Sequence, residues 1–144
     1  MSELLSSDQI NPVNGRLQKR ALILVAEDNP LNQQVTLRML EKIGHRAYAV
    51  ANGREALQVL TLLAYDIIFM DIQMPEMNGF EATMEIRRRE KVSGKHIPII
   101  AMTAYALLGD REACLEAGMD DYITKPVQPA ELAAAIARNF GHKG

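Results

Sequence analysis

The sequence contains no tryptophan and one cysteine, Cys114, and only 5% of its residues are aromatic. A single cysteine excludes an intrachain disulfide framework and a zinc site built from cysteines. No apolar run approaches the ~18 residues that a membrane-spanning helix needs. The first residues also lack the basic and apolar segments of a signal peptide. These absences argue against secreted, fibrous and membrane proteins.

An excess of positive charge is missing as well. Sixteen Lys and Arg residues oppose 18 Asp and Glu residues, which gives a net charge of −2, whereas nucleic-acid-binding domains are usually basic. Hydrophobic residues make up 48% of the chain and charged residues 24%, as in ordinary globular proteins. The length of 144 residues suits one domain. We therefore expect no nucleic acid among the partners and no direct membrane contact.

The two ends of the chain differ from its middle. Residues 1–20 are polar and rich in turn-forming residues, among them the run Asn11-Pro12-Val13-Asn14-Gly15, and they show no apolar period. We interpret residues 1–20 as a flexible tail or linker, residues 21–140 as the folded domain, and residues 141–144 as a second short tail.

Five short apolar runs recur within the middle, about 20 to 30 residues apart. They begin at Leu22, Ala47, Ile67, Ile97 and Tyr122. Runs without polar alternation are typical of strands buried on both faces of a parallel sheet, and each interval accommodates one crossover helix. The fourth run contains Pro98, which we place at the beginning of its strand because proline cannot donate to a sheet.

Helix signals fill the intervals between the runs. Asn29 is a candidate N-cap before Pro30, and Gly44 occupies the position of a helix-ending glycine. Helical spacing predicts that this first helix turns a stripe toward the core, formed by Leu31, Val35, Met39 and Ile43.

Four further helices are predicted by the same signals. Asn52 and Glu55 have the spacing of a capping box, and two helices follow over 80–89 and 105–117, with a last one from Pro129. The third helix has a predicted inner stripe of Phe80, Thr83, Met84 and Ile86, and its charge run at 87–91 predicts a solvated face. Cys114 is predicted to be a small buried hydrophobe. Five strands alternating with five helices indicate an α/β fold, a doubly wound five-stranded parallel sheet.

Polar side chains follow four of the five predicted strands. Glu27 and Asp28 follow the first, Asp71 the third, Thr103 the fourth and Lys125 the fifth. Since ligands bind at the carboxyl ends of strands in doubly wound sheets, we expect these side chains to meet at one edge.

The charges of this group indicate what it binds. Three carboxylates and one ammonium leave a charge of −2, which a divalent cation neutralises, and magnesium takes oxygen ligands of this kind. Beside such an ion, an ionised aspartate can act as a nucleophile toward phosphorus. The sequence therefore predicts Mg²⁺ as the cofactor.

Four stretches carry a family resemblance. They are VAEDNPLNQ at 25–33, MDIQMPEMNGF at 70–80, IIAMTA at 99–104 and GMDDYITKP at 118–126. With these motifs the chain resembles the receiver domains of two-component phosphorelays, in particular those of hybrid sensor histidine kinases. The resemblance covers roughly residues 21–140. It implies a flavodoxin-like fold with the strand order 2-1-3-4-5.

The resemblance also implies roles in metal binding and phosphoryl acceptance. Asp71 is then the phosphoacceptor. Asp28 binds magnesium directly, Glu27 binds it through water, and the backbone carbonyl of Gln73 is a further ligand. Lys125 pairs with the phosphoryl group.

Three more positions take roles by resemblance. Thr103 hydrogen-bonds the phosphoryl group, and Tyr122 is the aromatic that turns inward when Thr103 moves. The peptide bond before Pro126 is expected to be cis. We also hypothesise that the bulk of Tyr105 slows hydrolysis of the phosphorylated state.

The implied function is a signalling module rather than an enzyme. A histidine kinase core or a histidine phosphotransfer domain donates the phosphoryl group from a phosphohistidine, and the face formed by the last two helices and the strand between them switches. No small-molecule cofactor beyond the metal is expected. The location is cytoplasmic, either alone or as the cytoplasmic part of a membrane-anchored kinase.

Three alternatives stay open. A phosphatase of the haloacid-dehalogenase type uses an aspartate nucleophile, but Gln73 stands where such enzymes usually carry a second acid. A flavin- or nucleotide-binding protein of the same fold class needs a phosphate-cradling loop after the first strand, where Glu27 and Asp28 would repel phosphate. A phosphorylation-silent interaction domain would not need the intact set of acids.

Overall fold

Two short strands precede the predicted domain in this computed structural model, which describes residues 10–13, 16–104 and 108–140. Strands β1 (Ile10–Val13) and β2 (Arg16–Lys19) pair antiparallel, with Val13 opposite Arg16. Sequence analysis expected an irregular segment here and missed this pairing. The dipeptide Asn14-Gly15 in the sequence was read only as a turn signal, although this dipeptide also favours hairpins.

The main sheet is parallel and has the predicted topology. Its strands are β3 (Leu22–Ala26), β4 (Arg46–Val50), β5 (Ile67–Asp71), β6 (Ile99–Thr103) and β7 (Asp121–Thr124). Their spatial order is β4-β3-β5-β6-β7, which is the order 2-1-3-4-5 when these five strands are counted alone. The fold-class prediction is confirmed.

Five helices alternate with these strands within the described residues. They are α1 (Pro30–Ile43), α2 (Gly53–Leu60), α3 (Gly79–Ser93), α4 (Leu108–Ala117) and α5 (Pro129–Asn139). The predicted beginning of the fourth helix at 105–107 lies outside the described residues.

The predicted helix ends are largely correct. The Asn29 side chain accepts a hydrogen bond from the backbone N–H of Asn32, and Gly44 ends α1 at φ 111°. Asn52 accepts from the N–H of Glu55, but the Glu55 carboxylate accepts from Ala51 and not from the cap residue. The capping box predicted for α2 is therefore only half formed.

Two hydrophobic layers cover the two faces of the sheet. Helices α1 and α5 pack against one face, with Leu40, Leu132 and Ile136 in the core. Helices α2, α3 and α4 cover the other face, where Cys114 is buried as predicted. The strands β5 and β6 are buried along their whole length, which places the ends of these strands in a rigid frame.

Three predicted orientations are wrong. Strand β4 is an edge strand, so the expectation that its run is buried on both faces fails, and Tyr48 is exposed. On α1, Leu31 is 71% exposed and Val35 43% exposed, while Thr36 and Leu40 face the sheet. Met39 and Ile43, the other two members of the predicted stripe, pack against the core. The stripe is therefore correct over the second half of α1 and wrong over its first half.

The same error recurs on α3. Met84, predicted to face inward, is exposed, although Thr83 and Ile86 are buried as expected. Arg87, at the start of the charge run predicted to be solvated, keeps only 16% of its side chain exposed. A long side chain can fold back onto the protein, which helical periodicity alone does not reveal.

Candidate functional site

Three carboxylates meet at the carboxyl edge of the sheet. Glu27 and Asp28 directly follow β3, and Asp71 is the last residue of the neighbouring β5. One oxygen of each carboxylate lies within 4.8 Å of one oxygen of each other. Glu27 is 3% exposed and Asp71 5% exposed, whereas Asp28 is open to solvent. The structure thus combines two buried acids with one accessible acid.

Lys125 bridges the two buried acids. Its Nζ lies 2.9 Å from Asp71 Oδ2 and 3.2 Å from Glu27 Oε1. Burial disfavours the charged form of Lys125, but the hydrogen bonds and negative charges of Asp71 and Glu27 outweigh burial and raise its pKa above the ordinary value. The lysine is therefore firmly protonated and serves as a fixed positive charge beside Asp71.

The backbone of the same loop positions Lys125. Its N–H donates to the carbonyl oxygen of Thr103 at 2.8 Å. The peptide bond from Lys125 to Pro126 is cis, as expected from the resemblance. Thr103, the last residue of β6, is 5% exposed and lines the cleft above the carboxylates. The hydroxyl and the ammonium thus reach the site from adjacent strands.

Glu27 is anchored through its main chain and its side chain. Its N–H donates to the carbonyl of Val50 at 3.0 Å, and its Oε2 accepts from the N–H of Asn29 at 3.0 Å. Gln33 Nε2 donates to the carbonyl of Glu27 at 2.6 Å. Both carboxylate oxygens of Glu27 are therefore already engaged by protein donors, one of them Lys125.

The loop after β5 is built around Asp71. The N–H of Gln73 donates to Asp71 Oδ1 at 3.2 Å, and the N–H of Gly79 donates to the carbonyl of Ile72 at 2.9 Å. A Cβ on Gly79 would overlap the carbonyl oxygen of Asp71. Gly79 therefore permits the close approach of α3 to the end of β5. Gly79 stands within the motif at 70–80, but the sequence pattern did not predict that it allows this close approach.

A cleft of about 840 Å³ contains these groups. Its lining includes every predicted site residue except Tyr122. It also includes residues to which the sequence patterns assigned no role in the site: Asn29, Asn32, Ile72, Met74, Pro75, Asn78, Phe80, Met102 and Ala104. The donor set of the cleft is oxygen-rich, and its carboxylates form a cluster of the kind that holds a hard divalent cation.

Tyr122 does not lie among the cleft residues. It is half-buried on β7, opposite Ala101, and packs against the core layer beneath α3 and α4. Tyr105, for which we hypothesised a shielding role, lies outside the described residues. The structure therefore brings together the acids, Thr103 and Lys125, and it places the predicted switch residue elsewhere.

A doubly wound sheet with an acidic cleft at its carboxyl edge defines the general class of this protein, and comparison with known proteins defines the family. Residues 23–137 match the response regulator receiver domain. The chain therefore belongs to the response regulator receiver domain family, which confirms the resemblance. Within the described part of the chain, no helix is long and apolar enough to cross a membrane.

Curated relatives are large sensor kinases. The chain is 46% identical over 119 residues to hybrid signal transduction histidine kinase I of Dictyostelium discoideum, covering 79% of this chain and 7% of that protein. It is 37% identical over 143 residues to sensor histidine kinase GacS of Pseudomonas protegens, and this match covers 94% of this chain and 16% of GacS. The chain thus spans a small fraction of either relative.

Solved structures show the same fold. The receiver domain of a sensor histidine kinase from Pseudomonas aeruginosa, described with a magnesium ion coordinated in its active-site cleft, is 47% identical, with a TM-score of 0.75 and coverage of 83% of this chain and 97% of that chain. The Ssk1 receiver domain of Saccharomyces cerevisiae, in complex with the histidine phosphotransfer protein Ypd1, is 31% identical, with a TM-score of 0.80 and coverage of 86% and 91%.

Proposed function

We propose that this chain is the phosphoacceptor of a phosphorelay and that Asp71 receives the phosphoryl group. The observation that carries this proposal is the setting of Asp71. Its carboxylate is buried at a strand end, hydrogen-bonded to a protonated lysine, and within 4.8 Å of two further acids in an open cleft. A structural ion pair would not need the two additional acids, whose mutual repulsion is costly without a cation.

The residues of the cleft fit a Mg²⁺ ion. Asp28, Asp71 and the main-chain carbonyl of Gln73 would hold it directly. Glu27 would contact it through water, because both of its carboxylate oxygens already accept protein hydrogen bonds. The magnesium-bound Pseudomonas receiver supports this assignment. When bound, the cation offsets negative charge on the transferred phosphoryl group.

The transfer itself uses two side chains of this protein. A carboxylate oxygen of Asp71 forms a bond to the phosphorus of a phosphohistidine as the phosphorus–nitrogen bond breaks, and the departing imidazole nitrogen takes up a proton. Lys125, which pairs with Asp71 beforehand, then stabilises the negative charge on the phosphoryl oxygens. Thr103 lies in the same cleft and supplies a hydroxyl for the phosphorylated state.

The surface beside the cleft fits a protein donor. Asn29 and Asn32 line the cleft at the start of α1, and the exposed apolar residues Leu31 and Val35 continue from there along the helix. Exposed apolar side chains grouped near a site favour contact with a protein partner. We propose that a histidine kinase core or a histidine phosphotransfer domain docks here, and the Ssk1–Ypd1 complex supports this class of partner.

The response to phosphorylation is a displacement of Thr103 toward the phosphoryl group. Tyr122 turns inward in the same step, and the face of α4, β7 and α5 changes with it. The half-buried position of Tyr122 on β7 supports this, because the residue lies at the margin between core and solvent.

We propose a signalling role rather than an enzymatic one. The chain catalyses only its own phosphorylation and dephosphorylation, and Gln73 in place of a second acid disfavours a phosphatase of the haloacid-dehalogenase type. The relatives support a place within a hybrid sensor histidine kinase. A cytoplasmic location, alone or as part of a membrane-anchored kinase, fits this role. So does a receiver domain at residues 21–140, preceded by a tail or linker and followed by a short tail.

The decisive experiment is a mass measurement after incubation with phosphoramidate, with and without Mg²⁺. We expect the mass to rise by one phosphoryl group only with Mg²⁺, and the Asp71→Asn variant to gain none, since it keeps the shape of the side chain and loses its nucleophilic charge. Gain by Asp71→Asn equal to that of the wild type would contradict the proposal. Sustained turnover of a phosphomonoester would instead indicate a phosphatase.

A further inference from the structure

Gln33 makes contacts that the proposed mechanism does not use. It lies in the first turns of α1 and is half-buried. Its side-chain Nε2 donates to two backbone carbonyl oxygens, that of Glu27 at 2.6 Å and that of Val50 at 3.1 Å. These carbonyls belong to the ends of two adjacent strands, β3 and β4. One amide group therefore joins a helix to both strand ends.

The position of these carbonyls gives the contact its significance. The N–H of Glu27 donates to the carbonyl of Val50 at 3.0 Å just beyond the last paired residues of β3 and β4, Ala26 and Val50. From Glu27 onward the chain leaves the sheet and begins the acidic loop. Gln33 holds the Glu27 carbonyl directly after the last paired residues of the two strands.

The carbonyl of Glu27 also orients the next residue. This oxygen belongs to the peptide unit between Glu27 and Asp28, and a peptide unit is planar. A fixed carbonyl direction therefore fixes the direction in which the Asp28 Cα leaves the strand. The Asp28 side chain is exposed, so its placement depends on the main chain that carries it.

We propose, on the basis of the proposed function, that Gln33 is a positioning residue of the cation site. By clamping the Glu27–Asp28 peptide unit to the end of β4, its amide sets how tightly the carboxylate cluster binds Mg²⁺. Gln33 itself contacts neither the cation nor the phosphoryl group. Outer groups that orient metal ligands commonly affect metal affinity in this way.

The test compares two methionine variants on the same helix. Gln33→Met keeps the length of the side chain and removes the amide, and Gln34→Met is the matched control at an exposed neighbour. Titration calorimetry with MgCl₂ should show binding about 10-fold weaker for Gln33→Met and unchanged for Gln34→Met. Each variant is titrated well below its own thermal midpoint, which circular dichroism measures in EDTA.

A second variant separates positioning from charge. Gln33→Glu adds a negative charge near the site, which on Coulombic grounds strengthens cation binding, but it offers no donor to either carbonyl. We expect weaker Mg²⁺ binding than in the wild type. The phosphorylation rate of Gln33→Met with phosphoramidate should return to the wild-type rate once Mg²⁺ saturates the variant.

Three results would overturn the inference. They are a folded Gln33→Met variant with wild-type Mg²⁺ affinity, equal losses of affinity in Gln33→Met and Gln34→Met, and tighter binding in Gln33→Glu. The proposed function fails separately, if the wild type takes up no phosphoryl group. The Mg²⁺ titrations would still test the clamp in that case.

Discussion

The two edges of the main sheet both carry a half-buried cation among acids, but they balance charge differently. At the carboxyl edge, Lys125 is the one cation among the described residues that pairs with Glu27 and Asp71, and Asp28 clusters with these two acids and stays open to solvent. The group carries more negative charge than its one lysine compensates. Such an excess, held in a cleft by rigid strands, is the signature of a site that receives a cation.

At the amino edge, the charges are matched by donors within the protein. Arg87 on α3 donates to Glu90 and Asp120 at 2.7 Å each, and to the carbonyls of Ile97 and Gly118. Asp120 also accepts from the N–H of Ile99 and pairs with the ring of His96, while Glu90 accepts from the N–H of Ile97. Two acids face one arginine here, but His96 and backbone N–H groups also bind these acids. This edge is therefore a structural junction, whereas at the carboxyl edge a third acid, Asp28, stays open to solvent.

The largest difference in stability and in phosphoryl uptake should appear between substitutions of two glycines, one at each edge of the sheet. Gly79→Ala places a Cβ against the carbonyl of Asp71, so we expect a loss of about 3 kcal/mol of stability and no phosphoryl uptake. Gly94→Ala at the end of α3 meets open space at φ 77° and should cost about 1 kcal/mol with uptake intact. Urea denaturation and the mass measurement check both variants, and normal uptake by Gly79→Ala would contradict the comparison.

Exchange of each cation for methionine should separate stability from function. Arg87→Met removes the charged donor shared by two acids and two carbonyls, and we expect a loss of about 3 kcal/mol with phosphoryl uptake retained. Lys125→Met also leaves two buried acids without their cation, so it should cost stability as well, but of the two variants it is the one that should slow uptake, by about 100-fold. Urea denaturation and uptake rates with phosphoramidate measure the two effects. Equal loss of uptake in both variants would remove the distinction between the edges.

Asp28→Asn tests the excess of negative charge directly. Without Mg²⁺, removal of one of three crowded carboxylate charges should stabilise the protein by about 0.5 kcal/mol. In exchange, the variant should lose the stabilisation that added Mg²⁺ confers on the wild type. Thermal midpoints with EDTA and with MgCl₂ provide both comparisons. Destabilisation of Asp28→Asn in EDTA would show that the acid already has a favourable partner in the protein.

The last effect is a pH dependence at the amino edge. His45 Nδ1 accepts from the N–H of Ala21 at 2.9 Å, and the buried ring must be neutral to do so. Burial lowers the pKa of His45, and the positive charge of Arg20 lowers it further, by a smaller amount. The negative charge of Asp66 raises the pKa, but this is the weakest of the three effects. Just below pH ~6.5, His45 therefore binds a proton in the unfolded chain but stays neutral in the folded protein.

Stability should accordingly fall as the pH drops below ~6.5, by no more than about 1.4 kcal/mol per pH unit for one proton. Above that pH both states are neutral and His45 adds no slope. Urea denaturation at pH 7.5 and pH 5.5 measures the effect. His45→Asn retains an acceptor near the Nδ1 position and cannot titrate, so its pH dependence should be shallower; an identical slope would exclude His45 as its source.

Sequence patterns predicted the carboxyl edge well and the amino edge poorly. Asp71 and Lys125 follow apolar runs, and parallel strands bring such residues to one edge whatever the details of packing. Arg87 and Asp120 stand 33 residues apart, on a helix and in a loop, and no local pattern joins them. Because no local pattern indicated these distant partners, Arg87 was predicted to be solvated.

Local patterns also left the packing face of α1 undetermined. Over the second half of α1 the predicted stripe is correct, since Met39 and Ile43 pack against the core. Over its first half it is wrong, since Leu31 and Val35 are exposed and Thr36 is buried. A helical period shows that two faces differ and does not show which face the neighbouring strands accept. The contacts of Gln33 with two strand ends depend on that choice, so they were equally out of reach.

The sequence by itself determined the alternation of strands and helices, the order of the polar residues at the strand ends, and the helix caps. These features depend on interactions within a few residues or on the geometry common to all parallel sheets. Only the tertiary structure decided the rotation of α1, the exposure of β4, the Gln33 clamp and the Arg87 junction. Each of these requires groups distant in the chain to compete for the same space and the same hydrogen-bond partners, and that competition is resolved only when the whole core packs.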